Sequence, residues 1–162
     1  MSPTLPNIIL MVLDTVGAKH LSLYGYQRTT TPNLEKIAQE SILYSRCFAP
    51  ACWTVPSHAS LFTGLYPSQH GAFESRFLLR DNLPHMVPTL KTIGYSTIGI
   101  STNSLVSPAS GLCQDFDEFH DLGSEDFSRI LGGLHGSGHK EGCTGSISAG
   151  LQNAMITKKA QA

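Results

Sequence analysis

The chain has 162 residues, with 11 basic and 12 acidic side chains, a formal net charge of -1 and an apolar share of 41%. A chain of this length buries about 70% of its unfolded surface, enough for one core and one domain, and the apolar share excludes disorder throughout. The near-neutral balance, with no cluster of Lys or Arg, excludes nucleic-acid binding that rests on phosphate neutralisation.

Asn7-Ile-Ile-Leu-Met-Val-Leu is a continuous apolar run ended by Asp14, the pattern of a strand buried on both faces in a parallel sheet. Gly25 and Tyr26 mark a turn. Thr31-Pro32, followed by Leu34, Ile37 and Ala38 at helical spacing, predicts a capped helix from about Pro32 to Glu40. Ile42 to Phe48 reads as the next strand and Pro56 to Phe62 as a helix opened by Pro. Pro67, Gly71, Pro84 and Pro88 punctuate turns. Val87, Leu90 and Ile93 predict a short helix closed by Gly94, and the alternating, β-branched Tyr95 to Ser101 predicts a third strand. The succession predicts an α/β fold, a partial, mostly parallel sheet flanked by helices. It spans residues 1–122 and is followed by a tail, 123–162, that holds eight of the 15 glycines. The tail reads as flexible or, over Ser146 to Met155, weakly helical.

Two features carry chemistry. Asp14 ends the first strand, where open α/β sheets place their sites, although Asp is also a common turn former there. Thr54 stands just ahead of a Pro-opened helix, so an anion on its hydroxyl would lie at the positive end of the helix dipole; Thr is equally an ordinary N-cap. His58, one turn in, either reaches the same anion or is solvated. Trp53, the only tryptophan, reads as packing beneath this loop.

Three blocks make the wider pattern specific: Asn7-Ile-Ile-Leu-Met-Val-Leu-Asp14-Thr15, Leu23-Tyr-Gly-Tyr-Gln-Arg-Thr-Thr-Thr-Pro-Asn-Leu34, and Thr54-Val-Pro-Ser-His-Ala-Ser-Leu-Phe-Thr-Gly64. Tyr66-Pro67, His70-Gly71, Gly94-Tyr95 and Gly111 through Phe116-Asp117 follow in order. Over roughly residues 7–122 the chain resembles the N-terminal part of the sulfatase family, in the alkaline-phosphatase superfamily. The resemblance implies a hydrolase of small anionic sulfate or phosphate esters. In it a divalent cation, usually calcium, is held by an aspartate after the first strand, beside a nucleophile at a helix N-terminus. Asp14 and Thr54 match those positions, and a hard cation there would neutralise ester oxygens and help ionise the nucleophile. Ser57 matches the family's Pro-Ser step, as a substrate-binding or loop-supporting hydroxyl, and His58 stands where the family has Arg.

The departures are also specific. Sulfatases carry Cys or Ser, oxidised to formylglycine, within Cys-x-Pro-x-Arg; here the slot is Thr54, which cannot yield the aldehyde, so no formylglycine is expected. Cys52 is out of register. Threonine attacks as an alkoxide in branches of the superfamily that cleave or transfer phosphoesters, which leaves a phosphoryl-head-group transferase as an alternative. Thr15 replaces a second metal-binding aspartate, and Gly17 and Lys19 fall where close relatives often have Arg and Asp. The downstream Asp-Asn or Asp-His ligands and the Gly-Lys-Trp-His segment are missing, with Asn103 standing near the place of the latter. Asp81-Asn82 comes too early and reads as a turn. These departures imply an apparently truncated fragment, inactive alone, whose calcium binding is weak or absent; a non-catalytic remnant is the other alternative. An uncovered sheet would favour self-association.

The apolar run Ile8 to Leu13 falls far short of the roughly 20 residues of a membrane span, and Met-Ser-Pro-Thr-Leu-Pro lacks the basic start of a secretory leader. A cytoplasmic chain with reduced Cys47, Cys52, Cys113 and Cys143 is expected. His135, His139 and Cys143 are spaced four apart, but the surrounding glycines disfavour the helix that would align them as metal ligands. His20 and His70 read as exposed loop histidines.

Overall fold

In a computed structural model that describes residues 5–73, 78–113, 115–122 and 153–159, the apolar run after Asn7 forms strand β1 (Ile8–Val12). The described residues divide into two compact units, one drawn from those within 1–14 and 50–162, the other from 15–49.

The first unit holds the sheet. Tyr95–Ser101 forms β2, Glu118–Asp121 forms β3 and Asn153–Lys159 forms β4, in the spatial order β1-β4-β2-β3. β2 pairs parallel with β3, but β4 runs antiparallel to both of its neighbours, β1 and β2. The expectation of a mostly parallel sheet therefore holds for one pairing, because an apolar strand pattern reports burial and not direction. β1 also departs from burial on both faces: Leu10 packs against the core, whereas Ile9 is 65% and Met11 50% exposed.

β4 corrects the reading of the tail. Asn153 to Met155, placed at the end of a weak helix by sequence, belong to this strand; the rest of that segment lies outside the described residues. Ala154, Met155, Lys158 and Lys159 favour helix, and only Ile156 and Thr157 carry a strand preference. Pairing on both sides overrides the local signal.

Helix α2 (Thr54–Thr63) packs against this sheet's core through Val55, Ala59 and Phe62, spaced four and three apart. Pro56 is tolerated because it sits in the first turn, and Gly64, at φ 71, ends the helix in the left-handed conformation with its N–H on Ser60 O at 2.8 Å. The helix begins at Thr54, two residues before the predicted start. A short helix α3 (Pro67–His70) follows, and α4 (Met86–Thr92) buries Val87 in the same core. α4 is opened by His85, whose Nδ1 accepts the Val87 N–H at 3.3 Å. Asp81 and Asn82 form a turn, with Asn82 at φ 64, as read from sequence.

In the second unit, helix α1 (Pro32–Ala38) is preceded by 3₁₀ turns at Ala18–His20 and Ser22–Tyr24. Thr31 takes the N-cap position, but its hydroxyl accepts the Leu23 N–H at 3.0 Å and makes no bond to the helix. Ile42 to Phe48 is not a strand. It finds no ladder partner, Ile42 is 80% and Phe48 84% exposed, and the Tyr44 carbonyl accepts from the Tyr24 hydroxyl at 3.3 Å. Residue preference without a neighbouring strand does not make one. Among the described residues, no helix is long and apolar enough to cross a membrane.

Candidate active site

Two strand ends and one helix start converge. Asp14 lies two residues beyond β1, Asn103 two beyond β2, and Thr54 is the first residue of α2; all three are half-buried. Thr54 Oγ1 donates to Asp14 Oδ2 at 2.9 Å, and Asn103 Nδ2 donates to the same oxygen at 2.9 Å. Both bonds are charge-assisted when Asp14 is ionised. The pairing of Asp14 with Thr54 at the carboxyl end of the strands is the juxtaposition that the sulfatase resemblance and the strand-end rule together imply. The N-cap position belongs to Trp53, which makes no side-chain cap bond, so Thr54's hydroxyl is used across the fold instead.

The other sequence candidates lie around this pair. His58 is 4% exposed, and its Nδ1 lies 2.8 Å from the Thr54 carbonyl oxygen. Since a carbonyl can only accept, that nitrogen carries the proton. His58 is thus not solvated, and its Nδ1 ties down the Thr54 main chain. Ser57 is half-exposed on the same turn, with its N–H on Trp53 O at 3.3 Å. Trp53 packs against the core. Thr15, next after Asp14, sits at φ 63, a left-handed conformation that β-branched residues rarely adopt.

Two histidines read as loop residues part company. His20 is exposed and meets Tyr26 edge-on, but His70 is fully buried, its Nε2 3.0 Å from Ser60 Oγ and its Nδ1 accepting the Ala72 N–H at 3.1 Å. Desolvation lowers its pKa below the ordinary histidine value. Cys47 and Cys52 are exposed free thiols; Cys113 is buried, its pKa pushed up to about 12 by burial and by the charge of Asp121, which makes it inert. His135, His139 and Cys143 lie outside the described residues.

With this geometry in hand, comparison with known proteins is decisive at family level: the Sulfatase family model matches residues 6–137. The chain belongs to the sulfatase family. It is 29% identical over 103 residues to an ulvan-active sulfatase of Formosa agariphila, covering 64% of this chain and 20% of that protein. It is 30% identical over 106 residues to an N-acetylglucosamine-6-O-sulfatase of Bacteroides thetaiotaomicron, covering 65% and 19%. It is 35% identical over 68 residues to human arylsulfatase A, covering 42% and 13%. The chain thus spans about a fifth of the length of the first two relatives. No solved structure matches it.

Sulfatases typically use Ca2+, an ion that takes six to eight oxygen ligands. The side-chain oxygens in direct contact here are those of the Asp14 carboxylate and the Thr54 hydroxyl. Asp14 Oδ2 already accepts two donors, and the Asn103 amide oxygen accepts the Leu105 N–H at 3.0 Å. Among the described residues, no group of three or more His, Cys, Asp or Glu could hold a metal ion. The described residues therefore do not fit a calcium ion by themselves.

Asn103 is the functional candidate whose contact with Asp14 sequence reasoning missed. An Asn followed two residues on by a backbone N–H it can bind is a turn signal; nothing local says that its nitrogen reaches a residue 89 positions earlier.

Proposed function

We propose that this site is that of a hydrolase of small anionic sulfate or phosphate esters. Thr54 is the nucleophile, Asp14 receives its hydroxyl and offers a carboxylate to a divalent cation, His58 steadies the Thr54 main chain, and Ser57 is the substrate-binding hydroxyl. The observation that carries the reading is the 2.9 Å bond from Thr54 Oγ1 to Asp14 Oδ2 at the start of a ten-residue helix. A hydroxyl within hydrogen-bond reach of a carboxylate is the geometry of an activated nucleophile, and the helix start favours the anionic group under attack. Attack forms a bond from Oγ1 to phosphorus or sulfur as the bond to the leaving oxygen breaks; the Thr54 hydroxyl proton passes to Asp14 Oδ2 and from there to that oxygen, which departs as the alcohol, and water then cleaves the Oγ1 ester, returning a hydroxyl to Thr54 and releasing phosphate or sulfate. Threonine's methyl group bars formylglycine, which favours phosphorus over sulfur.

The test compares hydrolysis of an aryl phosphate, a phosphodiester and an aryl sulfate with a Thr54→Ala control. It is run with calcium present, on this chain and on the longest reading frame that contains it. Faster cleavage of the phosphorus esters, lost in the control, is expected. Faster sulfate cleavage, or turnover indifferent to Thr54→Ala, overturns the assignment, and absence of turnover in every form favours a non-catalytic role.

A further inference from the structure

We infer that Asn103 is a positioning residue of this site: its side-chain amide holds the Asp14 carboxylate so that Oδ2 receives the Thr54 hydroxyl. The inference deepens the hydrolase reading and rests on it for its chemical meaning.

Asn103 is itself held at four points. Its N–H donates to Ser101 Oγ at 3.1 Å, and its carbonyl accepts from Ser101 Oγ at 3.1 Å and from the Val106 N–H at 2.8 Å. Its side-chain oxygen accepts the Leu105 N–H at 3.0 Å. The last bond fixes the sense of the amide. An oxygen engaged by a backbone N–H leaves the NH₂ group as the one facing Asp14, so the donor at 2.9 Å follows from the network and not from a choice of flip. The terminal torsion of an Asp side chain is soft, and a hydroxyl turns readily to follow its acceptor. Of the two donors on Oδ2, only Asn103 is anchored well enough to set where that oxygen sits. Preorganisation of this kind governs how closely a nucleophile and its acceptor keep their geometry.

A purely structural role for Asn103 makes a different prediction. The turn needs only a side-chain oxygen for the Leu105 N–H, and Asp supplies one equally well. Asn103→Asp therefore preserves the turn while setting an oxygen, instead of an N–H, against Asp14 Oδ2.

The experiment uses the full chain and reads the Thr54 side-chain rotamer from three-bond NMR couplings, beside thermal unfolding. A single Thr54 rotamer in the unmodified protein, averaging between rotamers in Asn103→Asp with little change in the unfolding midpoint, is expected. Asp14→Ala tests the same bond from the other side: the Asn103 side-chain amide resonances should move toward those of a solvent-exposed Asn. A fixed Thr54 rotamer in folded Asn103→Asp, or amide resonances indifferent to Asp14→Ala, overturns the inference. If Asn103→Asp does not fold, the Asp14→Ala arm decides alone. None of these readouts needs turnover, so the expected spectra combined with failure to cleave any ester would sink the hydrolase reading and leave the positioning intact.

Discussion

Thr97 and Asp117 bind each other reciprocally. Asp117 Oδ2 accepts both the Thr97 N–H, at 2.8 Å, and the Thr97 hydroxyl, at 3.0 Å, while the Asp117 N–H donates back to that hydroxyl oxygen at 3.0 Å. Lys91 of α4 completes the arrangement, its Nζ 2.7 Å from Asp117 Oδ1. One carboxylate thus joins α4, β2 and the residue before β3, where the parallel pairing begins.

Thr97 is fully buried, so Thr97→Val should destabilise the protein by ~1–3 kcal/mol, the range for leaving buried hydrogen-bonding groups without a partner. Urea unfolding reads this, and a loss below ~0.5 kcal/mol, typical of a neutral surface change, would count against it. The Lys91 ammonium, with the Thr97 donors, holds the Asp117 carboxyl below its ordinary pKa. Its contribution is therefore fully present above the unfolded-state value of about 4 and is lost as pH falls through the lower folded-state value. Asp117→Asn should flatten that acid limb of the stability profile.

Burial also lowers the pKa of His70 and of His85, with Asp115 opposing at His85. Both histidines use Nδ1 as an acceptor, His70 from Ala72 and His85 from Val87, so protonation must break these bonds. Stability should be complete above the unfolded histidine value of about 6.5 and decline as pH falls from there toward the lower folded values. Denaturant unfolding at a series of pH values should show a smaller decline in His70→Gln, whatever that variant's absolute stability.

Gly99 faces Phe119 across the parallel pair, and a Cβ there would stand 2.5 Å from Phe119 Cδ2 and 3.2 Å from Phe116 Cγ. Gly99→Ala should cost ~1–3 kcal/mol through overpacking, and Phe119→Leu in the same chain should recover part of the loss. Equal stability of Gly99→Ala and the unmodified protein would show that the rings move aside freely.

The chain should bind calcium poorly. A site with one carboxylate and one hydroxyl leaves most of the six to eight oxygen positions to water. Calorimetric titration should show no micromolar binding, and light scattering should show association, because β1 is an edge strand with Ile9 and Met11 exposed on its outer face. Micromolar binding by a monodisperse monomer would refute both expectations.

Legibility in the sequence followed the range of the interaction. Tyr95 to Ser101 alternates so strongly that its strand bounds coincide with the structure, and Thr31-Pro32 opens α1 where expected. The approach of Asp14 to Thr54 is legible through the sulfatase-like blocks that carry them, since a strand end and a helix start alone fit a turn former and an N-cap equally well. Ile42 to Phe48 has strand composition but no neighbour, and Asn153 to Met155 has helical composition but two neighbours. The burial of His70 depends on Ser60 and the turn at Ala72, a tertiary fact that no pattern around His70 encodes.

Because β4 lies between β1 and β2, the two strands that carry Asp14 and Asn103 toward each other are not bonded to one another. Ile8 pairs with Thr157, and Tyr95 with Lys159, contacts between residues far apart in sequence of the kind that slow folding. Since adjacent strands lie about 4.8 Å apart, the interval between β1 and β2 is set by a segment that leaves the ribosome long after Asp14, Thr54 and Asn103. The approach of Asn103 to Asp14 is therefore spaced by a strand, residues 153–159, that is synthesised after every residue of the site.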